Sequence, residues 1–149
     1  SWRQGWDSEV TDAEIFQEVD YWVSQGVRAF KAKGIEAGHL ESLIMRAHKY
    51  GATVTGHLGS GYGNSVNPRD AILMGIDRVE HFLGGDALTS DRPAYESLVE
   101  VDVESEEFAS IVDLYLRRNI FFRVRFVPGK KNFLGSVLTS NLELYPLVQ

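Results

Sequence analysis

The sequence predicts an α/β fold built from parallel strand–helix units, and two observations carry this prediction. Four positions typical of a helix C-terminus, Gly26, Gly51, Gly75 and Asn119, are each followed by a short stretch with β-branched or aromatic residues. Gly and Asn tolerate the left-handed conformation that ends a helix, and the stretches after them are typical of strands. A helical pattern of apolar residues also precedes each position. Helices that alternate with strands over short connections favour parallel βαβ units.

Each predicted helix has a start signal or an apolar stripe. The first covers residues 11–25 and opens with a capping box, in which Glu14 lies three residues after the capping residue Thr11. Pro68 suits the first turn of the third helix, and Ser105, followed by acidic residues, starts the fourth. Apolar residues recur on all four helices: Ile15, Val19, Trp22 and Val23; Leu40, Leu43, Ile44 and Ala47; Ala71, Ile72 and Met74; Phe108, Ile111, Val112, Tyr115 and Leu116.

The first three predicted strands each carry a polar residue near the carboxyl end. Lys31 and His57 are 26 residues apart, and His57 and His81 are 24 residues apart. Each of the three lies five or six residues after the glycine that ends the preceding helix. Because binding sites in parallel α/β folds form at the carboxyl ends of strands, we expect these side chains to converge on one mouth.

The residue types at this mouth suit metal binding or nucleophilic chemistry. Two neutral imidazoles on neighbouring strand ends, His57 and His81, are good ligands for a divalent metal such as zinc. The neutral amine of Lys31 is a nucleophile, which can form a Schiff base or react with carbon dioxide to give a metal-bridging carbamate. Lys33 lies on the same face of its strand and is the rival for this role.

Strand alternation makes a further prediction about the third strand. Residues two apart share a face, so Thr55 accompanies His57 and Val79 accompanies His81. Glu80 is then expected on the opposite side of the sheet, in a structural role.

Three segments around these residues resemble a known family. They are Val-Arg-Ala-Phe-Lys-Ala around Lys31, Ala-His-Lys-Tyr-Gly-Ala-Thr-Val-Thr-Gly-His ending at His57, and Asp-Ala-Ile-Leu-Met-Gly-Ile-Asp-Arg-Val-Glu-His ending at His81. In this order they are similar to the middle of the amidohydrolase superfamily, in its metal-dependent group of imidazolonepropionases and prolidase-like dipeptidases. The resemblance covers roughly residues 11–118.

The resemblance implies a fold, an activity and a role for each residue. The fold is a partial TIM (β/α)8 barrel, about strands four to seven with their helices. The activity is metal-dependent hydrolysis of C–N bonds, amide or peptide-like, in small molecules. Lys31 corresponds to the carbamylated lysine of strand four, and His57 and His81 to the histidine ligands of strands five and six. Lys31, His57 and His81 are thus the expected catalytic and metal-binding residues, around one or two divalent ions, with zinc expected.

Other features of the family pattern are absent from this sequence. No two of the four histidines are two residues apart, so the first-strand His-x-His pair is missing, and Glu143 is the one acidic residue after Val127. A complete barrel takes about 250 residues. We therefore expect residues 1–127 to form part of a barrel in an incomplete enzyme, with weak metal binding and little activity in the isolated chain. Residues 128–149 form a tail without a motif, which is foreign to the family in our interpretation.

Composition limits the classes of function. The chain has 15 basic and 21 acidic residues and a net charge of −6, although six basic residues and no acidic ones lie within 117–131. This balance argues against a nucleic-acid partner. The lack of cysteine excludes thiolate metal sites and disulfides. No apolar run is long enough for a membrane span, and no signal peptide is present, which leaves cytoplasmic and exported locations open.

A non-catalytic protein is the alternative interpretation. An incomplete barrel exposes sheet edges, and self-association would cover them. The glycine-rich stretch at residues 58–65 could then bind a small anion, although it lacks both the P-loop lysine and the dinucleotide fingerprint. The remaining histidines, His39 and His48, lie on a predicted helix and are expected to pack or to be solvated. A small-molecule substrate is the partner that the enzyme interpretation expects.

Overall fold

The computed structural model describes residue 6, residues 8–80, residue 85 and residues 87–123 of the chain. Within them the element order confirms an α/β fold. The helices and strands are α1 (Asp12–Ser24), β1 (Ala29–Lys33), α2 (Ala37–Lys49), β2 (Thr53–His57), α3 (Pro68–Met74), β3 (Arg78–Glu80), α4 (Ala94–Ser97), α5 (Glu106–Arg117) and β4 (Phe121–Arg123). Short 3-10 turns occupy Tyr62–Asn64 and Leu98–Glu100.

The four strands form one parallel sheet in the order β1-β2-β3-β4. Consecutive strands are parallel and a helix lies between each two of them, so each connection is a βαβ crossover, as predicted. The short helix α4 and the two 3-10 turns were not predicted, since they are too short to show an apolar period. The predicted tail, residues 128–149, and the end of the predicted barrel part at residue 127 lie outside the described residues.

One face of the sheet packs against α1, α2, α3 and α5. On the helix-covered face, Ala32, Val54 and Val79 are 5%, 0% and 0% exposed. They join one core with residues of the helices: Ile15, Val19, Leu40, Leu43, Ile44, Ala47, Ala71, Ile72, Ile111 and Leu114. We call the other side the open face. Its described members are partly or well exposed: Ala29, Lys31, Lys33, Thr53, Thr55, His57, Arg78 and Glu80.

The helix ends agree with the sequence predictions. At the start of α1, the backbone N–H of Thr11 donates to the Glu14 carboxylate at 2.9 Å, which completes the capping box. The side chain of Ser105 caps α5 by accepting a hydrogen bond from the backbone N–H of Phe108 at 3.1 Å. All four predicted helix-end residues have positive φ: Gly26 at 92°, Gly51 at 66°, Gly75 at 99° and Asn119 at 51°.

A charged and aromatic cluster joins α1 to α2. The guanidinium of Arg46 donates to the carboxylate of Asp20, with Nε at 2.7 Å from Oδ1. The same guanidinium lies 5.1 Å from the ring centroid of Phe16 and 5.7 Å from that of Tyr50. Cation–π contacts of this kind add to the ion pair, so the cluster fixes the two helices together.

The left-handed helix end at Gly75 gives a testable prediction. A Cβ at Gly75 meets no atom within 4 Å, so Gly75→Ala costs only the strain of a positive φ, about 1–2 kcal/mol in the free energy of unfolding. Gly38 is the matched control, because it also has open space but lies within α2 with an ordinary φ. Gly38→Ala should stabilise by about 0.5 kcal/mol. Urea unfolding measures both, and a stabilising Gly75→Ala would contradict the assigned conformation.

The cluster between α1 and α2 predicts an acid-dependent stability. The hydrogen bond from Arg46 lowers the pKa of Asp20 from its ordinary 3.8. A carboxyl with a lowered folded pKa contributes stability above its unfolded pKa and loses it as the pH falls through the folded value. Asp20→Asn should therefore lower the melting temperature at pH 7, and the difference from the unmodified protein should shrink below about pH 4.

Circular dichroism melts between pH 7 and pH 2.5 measure this difference. Asp113→Asn is the control, since Asp113 pairs with Arg117 on the exposed surface of one helix and should change the melting temperature less. A Tm difference for Asp20→Asn that stays constant down to pH 2.5 would refute the contribution of the ionised pair.

Candidate functional site

The candidate site lies at the carboxyl ends of the strands on the open face. In the β1–β2 register Lys33 is opposite His57, and in the β2–β3 register Thr55 is opposite Arg78 and Gly56 opposite Val79. Continuing that register by one residue sets Glu80 level with His57. We call Lys31, Lys33, His57 and Glu80 the mouth.

An ion pair across the sheet dominates the mouth. Lys31 Nζ lies 2.6 Å from Glu80 Oε2, so a side chain of β1 reaches across β2 to one of β3. The two side chains differ in exposure, 57% for Lys31 and 12% for Glu80. A carboxylate with so little exposed surface needs a cation or hydrogen-bond donors in place of the water it has lost. Lys31 supplies that charge from the solvent side.

The position of Glu80 corrects one sequence prediction. Val79 was expected on the site face and Glu80 on the opposite one, but Val79 is fully buried in the helix-covered core and Glu80 lies on the open face. The reason is the register with β2, which aligns Val79 with Gly56 and not with Thr55. Burial of the Val79 side chain in the core determines on which face of the sheet each side chain of this short strand lies.

The three predicted site residues have different outcomes. Lys31 and His57 lie on the same face of adjacent strands near their carboxyl ends, as predicted. His81 lies outside the described residues, so its assignment as a ligand stays a prediction. Lys33, the rival of Lys31, shares this face but is one row further along the strand, level with His57.

An aromatic side chain borders the mouth. The ring of His57 meets that of Tyr95 edge-on, with 5.9 Å between centroids and an interplanar angle of 62°. Tyr95 belongs to α4 and is 54% exposed. Sequence reasoning missed Tyr95, because nothing in its local pattern indicates a contact with a strand 38 residues earlier.

The other described histidines have structural partners, in line with the prediction that they pack. His39 Nε2 lies 3.1 Å from the carbonyl oxygen of Val10. His48 Nε2 lies 2.9 Å from Asp77 Oδ2, and the same carboxylate oxygen accepts a hydrogen bond from the backbone N–H of Val54 at 2.7 Å. Neither of these contacts involves a residue of the mouth.

The glycine-rich loop after β2 is held by its own residues. The backbone N–H of Gly59 donates to Ser65 Oγ at 2.8 Å, and a Cβ at Gly59 would lie 2.8 Å from that oxygen. Glycine is required here for the close approach of residue 59 to Ser65. Ser60 is 3% exposed, and within the part of the chain that the structure describes its hydroxyl has no hydrogen-bond partner.

The donor types at the mouth suit a divalent cation. His57 offers an imidazole nitrogen and Glu80 a carboxylate oxygen, both ordinary ligands of zinc or manganese. Lys31 is a ligand only after conversion to a carbamate. Across residues 6, 8–80, 85 and 87–123, no group of three or more histidine, aspartate or glutamate side chains is placed to hold a metal. His57 and Glu80 are therefore two side chains of the mouth whose donor atoms are of types that bind divalent cations.

A cavity of about 340 Å³ lies at the opposite, amino ends of the strands. Its polar lining includes Thr53, Thr55, Arg78, Arg118 and Asn119. Arg118 belongs to the basic stretch recognised in the sequence. Asp77 lines it as well, so this cavity, which is distinct from the mouth, has both basic and acidic side chains in its wall.

No protein-family model matches the chain, and no curated protein matches it either. Among the described helices, none has the length and apolar character that crossing a membrane requires.

Lys31 is exposed and Glu80 is mostly buried, so we expect substitution of Lys31 and substitution of Glu80 to change the free energy of unfolding by different amounts. Lys31→Met removes the ammonium from a carboxylate with little exposed surface and should cost about 1–3 kcal/mol in the free energy of unfolding. Glu80→Gln leaves Lys31 able to turn into water and should cost less than about 1 kcal/mol.

Arg117→Met is the matched control for Lys31→Met, because the Arg117–Asp113 pair is exposed on both sides, at 67% and 57%. Its cost should stay below about 0.5 kcal/mol. Urea unfolding at neutral pH gives all three values. Equal costs for Lys31→Met and Arg117→Met would show that Glu80 does not depend on Lys31.

Proposed function

We propose that this chain forms the strand-four to strand-seven part of a (β/α)8 barrel in a metal-dependent hydrolase that cleaves amide or peptide-like C–N bonds in small molecules. The observation that carries the proposal is the placement of Lys31 and His57 on one open face of adjacent parallel strands, with His57 at the carboxyl end of β2 and Lys31 one row earlier on β1. The residue types match the resemblance to the amidohydrolase superfamily at these positions.

The architecture of the sheet supports the barrel part of the proposal. Four parallel strands follow one another in chain order, and in the described part of the chain the long helices α1, α2 and α5 pack on the same face. The other face carries polar and charged side chains, as the inner wall of a barrel does near its catalytic end. An open doubly wound sheet would instead have helices on both faces.

In the proposed mechanism this chain holds and orients groups at the mouth. His57, His81 and a carbamate on Lys31 would hold one or two divalent ions, zinc by expectation. When bound, such an ion would supply Lewis-acid chemistry, namely polarisation of a carbonyl oxygen and a pKa of bound water lowered towards about 7. Tyr95 borders the ring of His57 and limits the space beside it. The resemblance assigns proton transfer to an aspartate of strand eight, which lies outside the strand-four to strand-seven part proposed for this chain.

A metal titration tests the proposal. Protein purified without chelator and titrated with Zn²⁺ should bind, and His57→Ala should weaken binding by about 10–100-fold, as expected for loss of a ligand group. His48→Ala is the matched control, because His48 pairs with Asp77 away from the mouth, and its Zn²⁺ affinity should be unchanged. Isothermal titration calorimetry and melting temperatures with and without Zn²⁺ provide the measurements.

Equal Zn²⁺ affinity in His57→Ala and the unmodified chain would contradict the metal-site proposal.

The alternative, a non-catalytic module that binds a small anion, would gain support if inorganic phosphate stabilised the protein and Arg118→Ala abolished this stabilisation. The cavity at the amino ends favours this alternative through Arg78 and Arg118, but the Asp77 carboxylate also lines it. It lies beside the C-terminal end of α5, where the helix dipole disfavours anions. The mouth is therefore the better-supported site.

A further inference from the structure

The cavity at the amino ends of the strands lies between two connections that lead from a helix into a strand. Residues 75–77 join α3 to β3, and residues 118–120 join α5 to β4. Thr53 and Thr55 of β2 add two hydroxyl groups to the wall. The volume of about 340 Å³ is at the lower end of the range for small-molecule sites, about 300–1,000 Å³, so the cavity suits a ligand as small as a single amino acid.

Arg118 and Asp77 contribute opposite charges to the wall of this cavity. Asp77 Oδ2 accepts a hydrogen bond from the backbone N–H of Val54 at 2.7 Å and lies 2.9 Å from His48 Nε2. These contacts hold the carboxylate by one oxygen, and no described residue bonds the other oxygen, Oδ1. The guanidinium of Arg118 likewise has no ion pair or hydrogen bond within the described part of the chain. Both groups are therefore available to a ligand.

The two charged groups line the same cavity but do not pair with each other. No ion pair joins Arg118 to Asp77 in the part of the chain that the structure describes. A ligand that carries both an anionic and a cationic group can bridge them and form a charged hydrogen bond with each. The C-terminal end of α5 carries partial negative charge, which disfavours a purely anionic ligand and favours one that also has an ammonium group. A zwitterion therefore suits this wall better than a simple anion does.

Apolar side chains complete the wall of the cavity. Ile72 and Ile76 are each 1% exposed and belong to the core, and Ile120 packs against that core. They provide a surface against which a short aliphatic side chain can pack. Arg78 adds a second guanidinium to the wall and so raises the positive potential that a carboxylate meets there.

We propose that the cavity at the amino ends binds a free α-amino acid with a short aliphatic side chain. Its carboxylate accepts hydrogen bonds from the Arg118 guanidinium, and its ammonium donates to Asp77 Oδ1. Its side chain packs on the isoleucines. This site is separate from the mouth and needs neither a metal nor Lys31, so it goes beyond the proposed hydrolysis. The bound amino acid contacts both helix-to-strand connections and thereby stabilises the folded chain.

Binding of L-leucine to the 149-residue chain tests this site, together with two analogues that each lack one charge. 4-Methylpentanoate keeps the carboxylate of leucine without the ammonium, and 3-methylbutylamine keeps the ammonium without the carboxylate. L-Leucine should bind at least about tenfold more tightly than either analogue, because each analogue loses one charged contact. Isothermal titration calorimetry measures the three affinities, and L-leucine at millimolar concentration should raise the melting temperature.

Two variants test the proposed contacts of the carboxylate and the ammonium. Arg118→Met should weaken L-leucine binding by about 10–100-fold. Arg117→Met is the matched control and should leave the affinity unchanged, because Arg117 pairs with Asp113 and does not line the cavity. Asp77→Asn should weaken L-leucine binding by about tenfold without weakening that of 4-methylpentanoate, whereas a general loss of structure would weaken both. Far-UV circular dichroism verifies that each variant is folded.

Three results would overturn the proposed amino-acid site. They are equal affinities of the unmodified chain for L-leucine and 4-methylpentanoate, no binding of L-leucine by that chain, and equal effects of Arg118→Met and Arg117→Met. Each is measured without Zn²⁺ and with His57 intact, so the proposed hydrolase function is tested separately.

Discussion

The pleat of a parallel sheet with one covered face is the constraint on which the structure depends. Ala32, Val54 and Val79 turn towards the helices and are almost fully buried, so their neighbours along each strand must turn the other way. The rows of the open face follow from this alternation and from the register between strands. The ion pair between Lys31 and Glu80 therefore results from how the core is packed, and not from a local preference of either side chain.

Local features of this fold could be predicted from the sequence, because short-range chemistry determines them. The capping box of Thr11 and Glu14 and the positive φ at Gly75 depend on residues within one helical turn. The amphipathic stripe of α5 is likewise a property of its own residues. The helix α4 was missed, since four residues are too few to reveal a period.

The candidate site was predictable only in part, for a similar reason. Lys31 and His57 share a face because both have the parity that turns away from the core, but the register sets His57 opposite Lys33 and Lys31 one row earlier, opposite Thr55, which the spacing after each glycine did not indicate. β3 has three residues, and its facing is decided by burial of Val79 in the core. Alternation counted from His81 therefore assigned Glu80 to the wrong side. The contact of Tyr95 with His57 joins distant segments and leaves no local trace in the sequence.

The order of the strands has a consequence for how this chain folds. Paired residues of β1 and β2, such as Ala29 and Thr53, are 24 positions apart, and Thr55 and Arg78 of β2 and β3 are 23 apart. Among the described strands none is inserted between two earlier ones, but Arg78 and Phe121 of β3 and β4 are 43 positions apart, so the third pairing closes a longer loop than the first two. All three pairings are non-local, as in any parallel sheet, and this favours slower folding than that of a helical bundle of similar length. During synthesis the sheet can grow one strand at a time, with each new βα unit added to an edge that already exists.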